Sequence, residues 1–528
     1  MSTLKLLATV ICDYTNLITV FLAVFVFVLL YKLFQKPQNL PPGPRPWPLI
    51  GNLLTLSQVS CSVCFVTLKK AFSKFVFKFY TARMKTGNNV IWTLRQDSAH
   101  LQYVKWAQQY GAVFTVYYGP FPTVVINGMD NIQEALVNKP EIFSDRPRFT
   151  DGHGIIFAHY GPVWKEQRKF TMSGLRDFGF GRRSLEGKIL KEAEALSRDI
   201  IRTDGRPFNI SSMLQKAVTN VICSITFGAR HDYQDNDFQT FLETIDTRLR
   251  ASIIINIFSP VLRHLPILGK SAQKVHESNE RSVQFVKMKA DEHQRDFDSN
   301  DIRDFVDIYV KEIKSGQNEN FTNAQLHKII DDLIAAGTDT TSQSLYWILL
   351  YMVIYPDIQE RAQQEISRVF GDSASPTTAK RTELPFTEAV ISEVMRINPV
   401  TPLTVPHCTS SDTAIHGYDI PRGTAVHMNL WSVLRDPSLW EEPDQFKPER
   451  FLDNQGQYMK KDAFIPFSIG RRSCLGAQLA KMELFLFTAY LLQHFTFKLP
   501  EGAPPPSTVG KLGLSNGPRP YQLCAIPK

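Results

Sequence analysis

Phe464-Ile-Pro-Phe467-Ser-Ile-Gly470-Arg471-Arg472-Ser473-Cys474-Leu475-Gly476 is the stretch from which the rest of the chain can be read. A lone cysteine is most often an inert buried thiol. Here two glycines stand close to it, so backbone amides can approach the sulfur. The segment from Ala477 to Phe495 is almost wholly apolar and has helical length. Its N-terminus would lie beside the thiol. Helix dipole, amide donors and the neighbouring Arg472 then all favour the thiolate, the form that binds a metal.

Working outward, Glu393-Val-Met-Arg396 sets an acid and a base three residues apart, neighbours on a helix. Alone, such a pair is a surface ion pair worth a few tenths of a kcal/mol. Thr322-Asn-Ala-Gln325 is a capping-box start, and no proline follows until Pro356. The spacing predicts one helix of about 50 Å. Its middle, Ala336-Gly337-Thr338-Asp339-Thr340-Thr341, is poor helix-forming sequence whose hydroxyls can bond back to carbonyls and bend it. Val113 to Tyr118 and Thr123 to Ile126 read as two strands around a turn. Glu186–Arg202, Ser212–Phe227, Phe238–Ile257 and Ser271–Phe297 read as helices.

Phe467-x-x-Gly470-x-Arg472-x-Cys474-x-Gly476 resembles the haem-binding signature of the cytochrome P450 superfamily. Three further stretches resemble its other motifs in order and spacing: Ala336 to Thr341, Glu393 to Arg396, and Pro448-Glu-Arg450-Phe451. The likeness covers roughly residues 37–58 and 97–528. Its hinge and Trp164-Lys-Glu-Gln-Arg168 look most like the animal microsomal family-2 enzymes. The resemblance implies a mainly α (α+β) fold with a small β region. It implies haem b with Cys474 as axial thiolate, and Phe467 and Gly476 in the cofactor cradle. Trp164, Arg168, His407 and Arg472 would serve the haem propionates, with Arg146 in Phe143-Ser-Asp-Arg-Pro as a further candidate. Glu393, Arg396 and Arg450 become a buried structural network, and Asp339 with Thr340 an acid–alcohol pair for proton delivery.

Composition agrees with a large folded chain. Its 528 residues are 43% hydrophobic and 21% charged, enough to bury a sizeable core. Seven irregularly spaced cysteines make no disulfide framework, which places the folded part in a reducing cytosol. The net charge of +8 is concentrated in one place. Residues 59–96 carry Lys69, Lys70, Lys74, Lys78, Arg83, Lys85 and Arg95 without an acid; 8 − 7 leaves +1 for the remainder. Nucleic-acid binding thereby loses its support.

The N-terminal region divides into three parts. Tyr14 to Tyr31 is uncharged and apolar, and as a helix spans about 27 Å. Lys32, Lys36 and Arg45 follow it, so the positive-inside rule leaves the rest cytosolic. Residues 1–36 are thus expected to be a transmembrane signal anchor in the endoplasmic reticulum, with a mitochondrial membrane less favoured. Residues 37–58, with Leu40-Pro-Pro-Gly-Pro-Arg-Pro-Trp-Pro, form a stiff hinge and the start of the catalytic domain. Residues 59–96 are an atypical basic insertion. Val59-Ser60 is what a GTGAGT splice donor would encode and Gln96 what a CAG acceptor would, so a retained intron is expected. A helix lying on anionic lipid, or a metal site at Cys61 and Cys64, are the readings set against it. Residues 97–528 form the haem-thiolate catalytic domain.

The expected function is a monooxygenase that hydroxylates or epoxidises a fatty acid, steroid or xenobiotic with O2. The chain has no glycine-rich dinucleotide or flavin motif. Its electrons are therefore expected from an NADPH–cytochrome reductase, with cytochrome b5 as a further donor. Lys165, Lys169, Arg471 and Lys481 form a candidate docking face, against the plainer reading of a solvated surface. By resemblance the substrate pocket draws on residues 150–160 and 235–260, the helix around Ala335, Leu403 to Val405, and Leu514. Two alternatives stay open: a reductase-independent peroxide isomerase or dehydratase of the same fold, and an inactive membrane-anchored haem- or lipid-binding isoform.

Overall fold

Proline and capping side chains set where the helices begin. Pro162, Pro356 and Pro385 each stand in a first helical turn, where a missing N–H costs nothing. The Thr322 hydroxyl accepts from the Gln325 N–H at 3.2 Å, the predicted cap. The Gln325 side chain does not complete the box, because its amide bonds Gly154 instead. The computed structural model describes residues 39–46, 51–52, 99–118, 121–148, 152–180, 183–251, 263, 269–371, 373–513 and 515–528. The expected anchor, the insertion at 59–96 and Leu514 lie outside the described residues. Among the described residues no helix is long and apolar enough to cross a membrane.

The elements that build the site are α1 (Ala99–Tyr110), β1 (Val113–Tyr118), β2 (Phe121–Ile126), α2 (Pro162–Asp177), α3 (Glu186–Ile201) and α4 (Ser211–Thr226). They continue as α5 (Asn236–Arg250), α6 (Gly269–Arg295), α7 (Phe305–Ser315), α8 (Asn323–Ile354), α9 (Pro356–Phe370) and α10 (Pro385–Ile397). The strands β3 (His407–Cys408) and β4 (Ala425–Met428) precede α11 (Ala477–His494). The fold is therefore mainly helical with a small β region, as expected. Predicted helix ends differ from these by one or two residues, except that α5 closes at Arg250 rather than continuing to Ile257.

The sheet runs in the order β1-β2-β4-β3. Strands β1 and β2 form the predicted hairpin, with Val113 opposite Ile126. Parallel pairing of Thr123 with Ala425 joins this hairpin to a strand some three hundred residues later. The antiparallel pair His407–Val426 then brings β3 to the sheet edge.

Helix α8 runs unbroken for 32 residues, about 48 Å, through the centre of the domain. Three hydroxyls in its middle bond back to the helix as predicted: Thr340 to Ala336 O, Ser342 to Asp339 O and Ser344 to Thr340 O. Gly337 has a packing reason. A Cβ there would stand 2.7 Å from Ile222 Cδ1, so a larger residue would have to push the Ile222 side chain of α4 aside. Helix α11 is buried all round from Met482 to Gln493, which explains its lack of a polar face.

Candidate active site

One cavity, bounded by α2, α4, α8, α11, the loop before α11 and the segment leading to β3, gathers most of the predicted residues. It encloses about 1710 Å3 of empty space, counted out to its open mouth. Its walls include Phe467, Arg472, Cys474, Gly476, Thr340, Arg168, Arg146 and His407. Trp164 and Asp339 are buried but are not part of the wall.

The loop from Phe467 to Gly476 is held by its own backbone. Cys474 N–H donates to Phe467 O at 3.0 Å, and Ser473 N–H to Gly470 O at 3.2 Å. Gly470 makes this turn with φ of +78°, and a Cβ there would meet Leu136 O at 2.3 Å. Any side chain would have to displace both loop and neighbour. Gly470→Ala is expected to lower the melting temperature and the haem content together, by a strain of at least about 1–3 kcal/mol. Thermal melting and pigment assay of the purified variant check this; unchanged values would show that the close approach is dispensable.

Cys474 is the sole described cysteine whose sulfur opens onto the cavity. Its side chain is exposed to the cavity, but the protein packed around it desolvates the thiol and pushes its pKa up. The Gly476 N–H and the Arg168 charge pull the other way. The expectation that Arg472 favours the thiolate is corrected on this point. Arg472 donates to Ser144 O at 2.8 Å, Ile155 O at 3.0 Å and Ala158 O at 2.6 Å. Its fork is spent on carbonyls, and the cation acting on the sulfur is Arg168, which donates to Ser473 O at 2.7 Å. Without a metal the site holds a thiol; a bound metal ion would deprotonate it outright.

Arg146, Arg168 and Arg472 all line the cavity, and none has a carboxylate at ion-pair distance among the described residues. Arg146 donates to Ile156 O, Val405 O and Pro406 O, each at 2.9 Å. Burial, then repulsion from Arg146, pulls Arg472 down to about 8, with Asp145 acting against this. Burial, partly relieved by Asp145, pulls Arg146 down to about 9. A guanidinium stays protonated in water, so these shifts measure how strongly the cluster calls for an anion. His407 Nδ1 lies 2.7 Å from Phe143 O, and burial with the nearby Arg146 holds the ring neutral. That ring therefore donates from Nδ1. Trp164 gives its indole N–H to Ile155 O at 3.1 Å and packs its ring under Arg472, with the guanidinium 3.9 Å above the centroid.

A flat apolar group carrying two carboxylates and a metal that takes sulfur fits these walls. The thiol, the uncompensated guanidiniums and the apolar lining are what haem requires.

Glu393, Arg396 and Arg450 lie away from the cavity and form one network. Glu393 and Arg396 are 0% exposed and pair through two bonds, Nε–Oε2 at 2.7 Å and Nη2–Oε1 at 2.8 Å. Arg450 Nε reaches the same Oε1 at 2.9 Å. The remaining donors go to Leu434 O, Glu441 O, Glu442 O and Gln445 O. Phe451, one residue beyond Arg450, packs edge-on against Phe464 at 4.9 Å, which opens the cysteine loop.

A sequence profile of the cytochrome P450 family matches residues 84–525. The chain belongs to the cytochrome P450 family. It is 40% identical over 510 residues to cytochrome P450 2U1 of Bos taurus, covering 93% of this chain and 90% of that one. It is 38% identical over 525 residues to cytochrome P450 2D3 of Rattus norvegicus, covering 95% and 96%. Against cytochrome P450 2J2 of Homo sapiens the identity is 37% over 508 residues, covering 94% and 92%. As a P450 it is a haem-iron monooxygenase with a cysteine thiolate ligand.

The predicted substrate walls need correction. Ile155 and Ile156 line the cavity, as do Leu403, Thr404 and Val405. On α8 the wall lies around Ala335 as expected, formed by Asp332, Leu333, Ala336, Gly337 and Thr340 among others, whereas none of residues 235–248 contributes. Two groups escaped the sequence reading altogether. Asp332 reaches into the wall and accepts from Ile155 N–H and Ile156 N–H at 2.8 and 2.9 Å. Glu483 comes from α11. The only sequence signal for Glu483 was a single acid inside an apolar helix.

Proposed function

We propose that this P450 oxidises a hydrophobic small molecule, a fatty acid, steroid or xenobiotic, with electrons from an NADPH–cytochrome reductase. The reading is carried by one observation: the Cys474 thiol and the Thr340 hydroxyl line the same largely apolar cavity. Cys474 would ligate the iron of a haem b, and Phe467 and Gly476 would help cradle it. Arg146, Arg168, Arg472 and His407 would hold its propionates, with Trp164 packed against Arg168 and Arg472 in support. Haem held by these residues would supply the O2 activation by which one oxygen atom enters the substrate and the other leaves as water.

The protein's own residues prepare that chemistry. Thr340 Oγ1 donates to Ala336 O at 2.7 Å, which fixes the hydroxyl at the wall with its lone pairs free to accept. Asp339 beside it is the acid of the expected pair, acting from behind the wall. Ile222, Ile225, Leu333, Val400 and Leu403 exclude water and select apolar substrates.

Residues 1–36 anchor the chain in the endoplasmic reticulum membrane, 37–58 form the hinge, and 59–96 are an insertion of intronic origin outside the catalytic domain. The reductase, or cytochrome b5, docks on the face carrying Lys165, Lys169 and Arg471. Lys165 and Lys169 are exposed on α2 beside exposed Val163, and Arg471 pairs with Glu141. Lys481, half-buried over the Phe467 ring, joins that face to the cysteine loop.

The test is reconstitution with NADPH and purified reductase on lauric acid, testosterone and an alkoxy-coumarin. Expected is oxygenated product from at least one, at a rate that falls as salt rises. Turnover of an organic hydroperoxide without NADPH, and none with it, would make the chain an isomerase instead. Haem binding without either reaction would make it a binding isoform.

A further inference from the structure

We propose that Glu141 is a built-in placeholder for the electron donor: it occupies Arg471 until a carboxylate of the reductase takes its place. This rests on reductase docking at the face of Lys165, Lys169, Arg471 and Lys481. The Arg471 side chain, next to Gly470 in the cysteine loop, is 41% exposed, and that of Glu141 beside it is 58% exposed. Arg471 Nη1 donates both to a Glu141 oxygen and to the Tyr160 hydroxyl. Among the described residues, Lys165, Lys169 and Lys481 have no carboxylate at ion-pair distance. Lys165 lies 4.9 Å above the Tyr160 ring, and Lys481 5.6 Å above that of Phe467. Glu141 is therefore the one described acid paired with a cation of this face.

A guanidinium in its best geometry forks onto one carboxylate, so an acidic partner and Glu141 compete for the same donors. Glu141 also sets a negative charge among the cations, which weakens the field that draws an acidic protein in. The pair adds little to the fold, because exposed ion pairs contribute little. Its acid can turn away without moving the backbone. Glu141 sits in the short helix Pro140–Phe143, where Phe143 is wholly buried and Glu141 O accepts from Ser410 Oγ at 2.9 Å. Tyr160 is held separately, its ring 5.4 Å from that of Trp164.

Arg471 stands three residues before Cys474, so a donor carboxylate seated on it lies against the cysteine loop. The sign of the effect is definite. Neutralising Glu141 tightens donor binding, whereas neutralising a cation of the same face loosens it.

Calorimetric titration of the full-length haem-loaded protein with purified reductase, at low and at high salt, reads this directly as a Kd. At low salt Glu141→Gln should lower the Kd by about two- to five-fold, the size of one exposed ion pair. The gain should fade as salt rises, and the variant should melt with the wild type. Arg471→Ala should raise the Kd, and adding Glu141→Gln to it should recover only a small part of the gain. An equal or higher Kd for Glu141→Gln overturns the proposal, since Glu141 is then indifferent to the donor or holds Arg471 in place for it. The same gain with and without Arg471 also overturns it, because net charge alone then accounts for the effect. If Arg471→Ala and Lys165→Ala both leave the Kd unchanged, the docking face itself is wrong and the placeholder falls with it. That failure shows in the cations rather than in Glu141.

Discussion

Cys474→Ser abolishes the thiolate-type carbon monoxide difference band and reduces oxygenase turnover to background. The reason is local and chemical. Cys474 is the one thiol among the described residues lining the cavity, and serine's hydroxyl is neither acidic enough nor soft enough to replace it as ligand. Arg146, Arg168 and Arg472 still present their uncompensated charges, so some haem stays bound in the variant without its axial ligand. The expected outcome is therefore a pigmented but inactive protein rather than a colourless one. Cys223 and Cys408 serve as controls. Burial raises their thiols to about 12 and about 11, and neither lines the cavity. Cys223→Ser and Cys408→Ser should keep the band. A thiolate band surviving in Cys474→Ser, or vanishing in either control, would move the ligand elsewhere.

The parts of this site that could be read from sequence are those whose information is local. The cysteine loop, the apolar helix after it, the Thr322 cap and the proline that ends α8 all lie within short stretches. So does the β1–β2 hairpin. What escaped was set by side chains meeting across the fold. Arg472 sits two residues from Cys474 in sequence, so it was the natural cation for the sulfur; the fold turns it to carbonyls of residues 144, 155 and 158. Arg168, some three hundred residues earlier, takes that part instead. The same holds for the bidentate pair of Arg248 on α5 with Asp331 on α8, which joins two helices 83 residues apart. Beside it, Asp332 fixes the amides of Ile155 and Ile156. Two adjacent acids in a helix look like a solvated face until the partners arrive. Glu393 and Arg396 are the instructive middle case. Spacing alone favoured a surface pair, and only the company of the cysteine motif made burial the better reading.

Glu393→Ala should be the most damaging substitution outside the cavity, preventing accumulation of haem-loaded protein. Glu393 is the sole carboxylate of its network, accepting from Arg396, from Arg450 and from the Lys447 N–H at 3.0 Å. Removing it leaves two guanidiniums facing each other in the interior with their carbonyl bonds alone. Breaking a buried pair in this way costs about 3–5 kcal/mol, against a total stability of about 5–15 kcal/mol for a native domain. The same change deletes the acceptor that holds the strand of chain from Gln445 to Arg450 against α10. Through Phe451 and Phe464 that chain supports the cysteine loop, so loss of the network should be felt as loss of haem. Glu393→Gln separates charge from shape. It keeps the acceptor oxygen but not the charge, and should fold with a lowered melting temperature and partial haem content. Arg396→Lys should fail nearly as badly as Glu393→Ala, since an ammonium cannot span Glu393 and Leu434 O as the fork does. Pigment content, melting temperature and the carbon monoxide band of the three proteins, expressed side by side, decide the matter. If Glu393→Ala accumulates with full haem and melts within a few degrees of the wild type, the network is not what holds the cysteine loop in place.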